Sequence, residues 1–336
     1  MSRSSAVHRR RTSCARVTPN GPACVVVIAG AERMRSPNLT GFLLGAASTA
    51  LFIGALATRE GFVVGLALLF VIFVPLEKIF ALRPQQVFRR GWRTDLVHLA
   101  VNSLLVTALV FALVGLVGGV LKAVMPGAVT AAVQGQPEWA QIAEVLVLGH
   151  IGGYWGHRLA HQVPVLWRFH KVHHSIREMD WLAAGRLHPI DQGFIRSCAV
   201  LPAFVLGYGE VGLGGYVLVT TLHAILLHAN VRFTFGPLRW IIASPEYHHW
   251  HHANHPEHFN KNFSELPLLD MIFGTAHLTW RQHPRSYGVD EQPPTGYLRQ
   301  LVWPFRRANP SRPADPRSPG PDGTARTPRL GPRPGP

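Results

Sequence analysis

Long apolar runs separated by short polar segments dominate the first two thirds of the chain. Two of them, at 41–57 and 61–80, are separated by only three residues, which predicts a tight helical hairpin. Each run is close to the roughly 20 residues that a membrane-spanning helix needs. A third run covers 98–124, and a shorter, glycine-rich run at 141–156 predicts a return across the membrane.

A further apolar stretch, 194–227, is broken near GYGEVGLGG. A single helix over this whole stretch would be too long for one crossing of the bilayer. Two short arms joined by a glycine-rich bend fit better, as a hairpin that does not fully cross. An even number of passes then keeps the histidine-rich segments before and after this stretch on the same side of the membrane.

The charges between the runs predict the orientation. The segment ALRPQQVFRRGWRTDLVH carries four arginines, whereas PGAVTAAVQGQPEWA has no Lys or Arg. Basic loops favour the cytoplasmic side, so the histidine-rich segments are expected on the cytoplasmic face. The arginine-rich, lysine-poor composition favours a bacterial inner membrane over the endoplasmic reticulum.

Composition supports the membrane interpretation: 47% of the residues are hydrophobic and 15% are charged, whereas soluble domains carry about 25% charged residues. The net charge of +15 raises the question of nucleic-acid binding, but much of the excess lies at the two ends, and the middle has no basic stripe interleaved with aromatics. No nucleic-acid partner is expected. We expect 1–36 to be a disordered or mis-assigned extension and the Pro/Gly/Arg-rich tail, 307–336, to be disordered.

Histidines occur in clusters whose spacing matches one face of a helix. His157 and His161 are four residues apart, and an H-x2-H-H pattern occurs twice. Residues at i, i+3 and i+4 are neighbours on a helix surface, so each set can point its imidazoles at a shared metal. The second H-x2-H-H motif follows the segment HAN, which contains His228. His223 lies five residues before His228. The candidate ligands are His157, His161, His170, His173, His174, His223, His228, His248, His251 and His252.

Nine or ten imidazoles exceed what one ion binds, since a metal takes about four to six ligands. Two metal ions are therefore expected. Imidazole suits zinc, copper, iron and nickel alike, and no cysteine and no Glu-x-x-His set accompanies the histidines. Ligand chemistry by itself leaves zinc and iron open.

These motifs together resemble the fatty acid hydroxylase / sterol desaturase superfamily over about 85–280. The matching pieces are RRGWRTDLVH, YWGHRLAH, WRFHKVHHS, RLHP, HAN, SPEYHHWHH, KNFS and LLDMIFGT. The resemblance implies an all-α, polytopic transmembrane bundle with a cytoplasmic histidine-rich cap that holds a dimetal site. It implies transmembrane helices over 37–140 and a catalytic domain over 141–285.

The resemblance also implies the chemistry. Members use a non-haem di-iron centre and O2 to hydroxylate or desaturate a lipid, with electrons from NAD(P)H through a separate cytochrome- or ferredoxin-type partner. No catalytic residue beyond the metal ligands is expected. Where relatives commonly have Asp, seven residues before the first motif, this chain has His150. The residues expected to support the ligands are His150, His188, Asn230, Asn262 and Asp270.

Two other functions fit a histidine-rich membrane protein. A metal transporter usually binds its ion near the membrane midplane, whereas these motifs lie at the ends of apolar runs. A zinc-dependent hydrolase needs a carboxylate base beside an open metal position. Glu246 and Glu257 flank the last motif, but neither lies in an H-E-x-x-H frame.

Overall fold

The computed structural model describes residues 59–306. Within them the chain is mostly helical, and the β-pairing consists of two isolated bridges, Ala81–Val231 and Ala253–Tyr287. The run 41–57 and both terminal segments predicted to be disordered lie outside the described residues. The longer helices are α1 (Arg59–Ile79), α2 (Trp92–Leu113), α5 (Glu138–Gln162), α6 (Pro164–His174), α7 (Pro189–Leu206) and α8 (Glu210–His228). The shorter ones are α3 (Gly119–Ala123), α4 (Gly127–Gln134), α9 (Pro245–His251), α10 (Pro267–Ile272) and α11 (Tyr297–Val302).

Within residues 59–306, two helices are long and apolar enough to cross a membrane. One runs over Trp92–Ala123, where a π-helical turn at Val114–Gly118 joins α2 to α3, and the other is α8. Only 17% and 28% of their most apolar windows are buried within the protein. The core helix of a soluble protein would be mostly buried, so these exposed apolar surfaces indicate a membrane protein.

The glycine-rich bend predicted within 194–227 is confirmed. Helix α7 ends before Gly207, whose φ of 91° lies in the left-handed region that favours glycine. Helix α8 starts three residues later, at Glu210, and includes the remaining glycines of the motif. The bend is therefore shorter than the pattern GYGEVGLGG indicated.

The return predicted at 141–156 is longer than expected, since α5 has 25 residues and continues through both histidines of the first motif. Its glycines let α7 and α8 approach closely. A Cβ built on Gly152 would lie 2.1 Å from the carbonyl oxygen of Cys198 in α7, and one on Gly149 would lie 2.3 Å from the Tyr216 ring in α8. Small residues at helix crossings bring backbones together in membrane proteins, and here they position α5 against the other two helices.

Replacement of Gly152 by alanine is expected to destabilise the protein by at least about 1–3 kcal/mol, because the new methyl group meets backbone atoms that cannot rotate away. Gly153→Ala is the matched control, since its Cβ would have its nearest neighbour at 3.8 Å. Thermal unfolding of the detergent-purified variants measures the difference. Equal melting temperatures for the two variants would contradict this close approach of α5 and α7.

A buried charge network connects the start of α2 to the segment before α7. The Asp95 carboxylate, which is fully buried, pairs with Arg89 at 2.7 Å and with Arg186 at 2.5 Å. Arg89 also pairs with Asp180 at 2.6 Å. Two carboxylates thus balance two guanidinium groups away from water, as buried charges require.

A hydrophobic cluster lies next to this network and packs α1, α2 and α8 around the 3₁₀ turn Trp181–Gly185. Its buried members are Phe73, Trp181, Leu182, Ile225, Ala229 and Val231. The cluster places the end of α8, and with it His228, against the segment that follows α6.

Candidate metal centre

The first histidine motif lies on the last turns of α5. His157 and His161 are one turn apart, as the spacing predicts, and their ring centroids are 5.2 Å apart. A single residue, Val163, connects α5 to α6, and Pro164 occupies the first position of the new helix. Proline at that position needs no N–H donor and favours a helix start, so the chain reverses sharply and turns α6 toward the same site.

The last motif lies on the short helix α9. Ser244 caps this helix, because its hydroxyl oxygen accepts a hydrogen bond from the backbone N–H of Tyr247 at 3.2 Å. Pro245 then occupies the first turn. Serine caps typically stabilise a helix start by about 1 kcal/mol, which helps a seven-residue helix hold its histidines in place.

Nine of the ten candidate ligands converge into two groups. In each group the ligand nitrogens all lie within 4.8 Å of one another, a spacing that allows each group to hold a metal ion. One group, the five-histidine group, consists of His157, His161, His170, His174 and His251. The other, the four-histidine group, consists of His173, His228, His248 and His252.

Each H-x2-H-H motif is divided between the two groups. His170 and His174 belong to the five-histidine group, whereas His173 belongs to the four-histidine group. A helix rotates about 100° per residue, so i+4 lies about 40° to one side of residue i and i+3 about 60° to the other. In α9 the division is reversed, because His251 joins the five-histidine group. The two helices therefore link the two groups, which the spacing alone did not indicate.

Backbone carbonyl groups determine which nitrogen of several rings carries the proton. His157 Nδ1 donates to the carbonyl oxygen of Phe263 at 2.7 Å, and His251 Nδ1 donates to that of Lys261 at 2.8 Å. In the four-histidine group, His173 Nδ1 donates to the carbonyl oxygen of Arg186 at 3.1 Å. A carbonyl only accepts, so each of these neutral rings has an unprotonated Nε2.

These unprotonated nitrogens face one another. His157 Nε2 lies 3.1 Å from His170 Nε2, and His173 Nε2 lies 3.3 Å from His228 Nε2. The Nδ1 atoms of His170 and His228 also bond to oxygen acceptors, Asp191 and the Ala224 carbonyl. Lone pair facing lone pair at this distance is unfavourable without a cation between them.

Other ring nitrogens in the groups are buried without a hydrogen-bond partner among the described residues. They are His161 Nε2, His251 Nε2 and His252 Nδ1. Buried polar atoms are rarely left unpaired in folded proteins. His161 Nε2 and His251 Nε2 belong to the five-histidine group, and such unpaired imidazole nitrogens fit the donor set that iron or zinc prefers.

The surroundings keep the imidazoles neutral. Burial, reinforced by neighbouring imidazoles, lowers the pKa of His173 and His174 well below the usual histidine value. Burial also lowers the pKa of His251 to about 3, although its bond to Lys261 acts in the opposite direction. Neutral imidazole is the form that binds metals, so the site is ready for a cation at neutral pH.

Asp191 is a residue of the candidate site that the sequence patterns missed. Its buried carboxylate accepts from His170 Nδ1, with both oxygens at 3.0–3.1 Å. A carboxylate behind a histidine fixes the ring orientation and makes Nε2 a stronger ligand. The only local signal was its position three residues after His188 in RLHPID.

Asp191→Asn is expected to weaken metal binding by the five-histidine group about 10- to 100-fold, because the negative charge behind His170 is lost. Competition against a chelator of known affinity measures the change. Asp290→Asn is the control, since Asp290 is exposed and accepts a hydrogen bond from Asn254 rather than from a ligand imidazole. Equal metal affinities for wild type and Asp191→Asn would contradict this role.

The remaining predicted residues support the fold around the groups in different ways. Asn262 donates to the carbonyl oxygens of Tyr247 and His277. Asp270 accepts from the backbone N–H of Phe263 and from the Tyr247 hydroxyl, and so positions the carbonyl group that orients His157.

Two other predicted residues, His188 and Asn230, bond to backbone groups. His188 caps α7, since its Nδ1 accepts from the Ile190 N–H. The Asn230 side chain exchanges hydrogen bonds with the backbone of Arg83.

His223 and His150 lie outside both groups. His223 was a candidate ligand, but its Nδ1 lies 3.0 Å from Glu265 and its Nε2 lies 2.9 Å from the Ala243 carbonyl oxygen. It precedes His228 by five residues, about one and a half turns, which directs its ring away from the four-histidine group. His150 also approaches Glu265, at 3.7 Å.

Comparison with known proteins points to the same family that the histidine motifs resemble. Residues 142–275 match the fatty acid hydroxylase family. The chain is 35% identical over 168 residues to ornithine lipid hydroxylase OlsE of Rhizobium tropici, which covers 50% of this chain and 51% of that protein.

The names of two further relatives indicate other substrates. An alkylglycerol monooxygenase of Xenopus tropicalis is 30% identical over 125 residues, 37% of this chain and 28% of the relative. A very-long-chain aldehyde decarbonylase, GL1-1, of Oryza sativa subsp. indica is 30% identical over 162 residues, 44% and 26% of the two chains. The chain thus spans about half the length of the first of these relatives and about a quarter of the others. No solved structure matches it.

Proposed function

We propose that this protein is a membrane-bound, O2-dependent di-iron oxygenase that hydroxylates or desaturates a lipid, because residues 142–275 match the fatty acid hydroxylase family. The observation that carries the proposal is the convergence of nine imidazoles into two adjacent groups. The substrate would be a sterol, a fatty acyl chain or a carotenoid-like lipid. Electrons would come from NAD(P)H through a separate cytochrome- or ferredoxin-type protein.

The donor set suits two redox-active ions. His157, His161, His170, His174 and His251 would hold one ion, and His173, His228, His248 and His252 would hold the other. Bound iron would supply the oxidising power that an unactivated C–H bond requires. The protein's own part is to hold the imidazoles neutral and oriented, and to keep water away from the reacting lipid.

The position of the groups suits a lipid substrate. They are formed by the ends of α5 and α8 together with α6 and α9, directly beyond an exposed apolar helix that can cross the membrane. We propose that this end faces the cytoplasm of a bacterial cell, where a soluble donor reaches it, while the lipid enters from the bilayer. The basic segment before α2 is expected on the same side.

The proposal is tested with detergent-purified protein loaded with iron under anaerobic conditions. We expect about two iron ions per chain and the appearance of an oxidised lipid that incorporates an atom of ¹⁸O2 or gains a double bond. The same protein loaded with zinc is the control, since zinc has no redox chemistry. Fully iron-loaded, reducible protein that consumes no O2 with a broad panel of lipids would refute the proposal.

The same preparations separate the other two functions. A zinc hydrolase would release product from the zinc-loaded protein without O2, but neither histidine group contains a carboxylate among the described residues. A transporter would move metal into proteoliposomes. The histidine groups lie at helix ends, whereas transport sites lie near the middle of the membrane.

A further inference from the structure

A second polar cluster lies outside both histidine groups, between α5, α8 and the segment before α10. It consists of His150, His223 and Glu265. The Glu265 Oε2 atom lies 3.0 Å from His223 Nδ1 and 3.7 Å from His150 Nε2. Ionisable groups beside membrane-embedded helices are costly to maintain and commonly serve a function.

The other nitrogen of each imidazole contacts a backbone carbonyl group. His223 Nε2 lies 2.9 Å from the oxygen of Ala243, and His150 Nδ1 lies 2.5 Å from that of Leu146. A carbonyl oxygen only accepts, so both of these nitrogens carry a proton. A neutral imidazole has only one N–H. In a neutral ring, the second nitrogen, which faces Glu265, would therefore carry no proton.

The geometry therefore requires a proton between His223 and Glu265. It lies either on the imidazole, which is then a cation, or on the carboxyl group. His150 Nε2, at 3.7 Å from Glu265 Oε2, is too distant for a direct hydrogen bond and acts on the carboxyl group electrostatically. The cluster can thus gain or lose a proton without breaking its bonds to the backbone.

The charge on Glu265 follows from its neighbours. Burial raises the pKa of this carboxyl group, but its interactions with His150 and His223 lower it by more, so that it stays below the usual glutamate value. Arg196 on α7 and Tyr216 on α8 also act on it electrostatically. At neutral pH the carboxyl group is ionised, and the shared proton is on the imidazole side.

The two histidines of the cluster lie on the same two helices, α5 and α8, that carry members of the metal groups, and part of the cluster's surface is exposed. His150 precedes His157 by seven residues on α5, about 10 Å along the helix, and His223 precedes His228 by about 8 Å on α8. Each helix thus connects the cluster to one of the two groups. The side chain of Glu265 is 26% exposed, and this is the side on which a proton would enter from water.

We propose that His150, Glu265 and His223 form a proton-holding cluster that supplies protons to lipid oxidation at the histidine groups. The inference rests on the proposed function. Hydroxylation of a lipid RH follows RH + O2 + 2e⁻ + 2H⁺ → ROH + H2O: the two electrons come from the external donor, and both protons end in the product molecules. Each proton that leaves the cluster is replaced from water through the exposed side of Glu265.

The decisive variant is Glu265→Gln, which keeps the size of the side chain but cannot exchange a proton. We expect unchanged metal content, an unchanged KM for lipid and a kcat about 10²-fold lower, the usual contribution of a positioned acid or base. The remaining rate should fall as pH rises, because protons must then come from the solvent. Glu265→Asp should recover part of the rate.

Glu257→Gln is the matched control, because Glu257 also lies beside a histidine, His258, at 3.8 Å, but its side chain is 67% exposed. It should leave kcat and its pH dependence unchanged. A wild-type kcat in Glu265→Gln would overturn the proposal. A raised KM with unchanged kcat would also overturn it and would indicate that the cluster binds a polar group of the lipid instead.

A second measurement is independent of catalysis. Infrared difference spectra of the metal-free protein during acidification should show the Glu265 carboxyl band, identified by its loss in Glu265→Gln. It should appear only below the ordinary glutamate pKa of about 4.3. In the double variant His150→Gln/His223→Gln it should appear at higher pH, because the two imidazoles no longer counteract the effect of burial on the Glu265 pKa. No difference between the two would overturn the cluster, even if the lipid oxygenase function holds; an inactive iron-loaded wild type with the expected spectra would refute only the function.

Discussion

Replacement of His251 by alanine is expected to remove about half of the bound metal and to abolish lipid oxidation. His251 belongs to the five-histidine group but is the last residue of α9, which with its C-cap residue His252 also supplies two members of the other group. Loss of this imidazole weakens the binding of one ion and leaves the ligands of the second ion in place. The metal content of the purified variant should therefore fall from about two ions per chain toward about one, because the four imidazoles that remain in this group bind their ion more weakly without His251.

His173→Ala tests the other group in the same way. It should also lower the metal content to about one ion and abolish turnover, because both ions are needed for the proposed oxidation. His283→Ala is the control, because this histidine lies outside both groups; its metal content and turnover should match wild type. If all three variants retain two ions, or if His283→Ala loses metal like the other two, the ligand assignment is wrong.

Replacement of Asp95 by alanine is expected to destabilise the protein by about 3–5 kcal/mol, the usual cost of breaking a buried ion pair on one side. Asp95 is fully buried between Arg89 and Arg186, with contacts of 2.5–3.0 Å. Its removal leaves Arg186 without a carboxylate and Arg89 with only Asp180. The variant should unfold at a much lower temperature than wild type in the same detergent.

The same variant should weaken metal binding in the four-histidine group. The backbone carbonyl group of Arg186 accepts from His173 Nδ1, so a shifted Arg186 disturbs the orientation of that ligand. Lys171→Ala is the control, since Lys171 pairs with the half-exposed Glu291 and such surface pairs typically contribute about 0–1 kcal/mol. Equal unfolding temperatures for Asp95→Ala and Lys171→Ala would contradict the structural role of the network.

Local patterns predicted several parts of the site. The spacing of His157 and His161 predicted a shared helix face, and both lie on the last turns of α5. The break near 207 was visible because only glycine adopts the left-handed backbone there without strain. The number of histidines indicated two metal ions before any geometry was known, and that count remains a prediction.

Other parts could not be predicted from local patterns. Asp191 is 21 residues from His170, and Glu265 is 42 residues from His223. Neither pair has a periodic signal, because α7 and the segment before α10 are brought to the histidines only by packing. For the same reason His223 resembled a ligand in sequence, although its ring faces Glu265 and Ala243 in the folded protein.

The amino-acid sequence by itself determined which residues share a helix: apolar runs long enough to cross a bilayer, and histidines repeated at i, i+3 and i+4. These properties are local, since helix geometry sets the angle between side chains a few residues apart. Only the tertiary structure decided how the two H-x2-H-H motifs divide between the groups and which ring nitrogens are left unprotonated. Those outcomes depend on carbonyl and carboxylate acceptors that distant segments bring to each imidazole, such as Phe263 for His157 and Asp191 for His170.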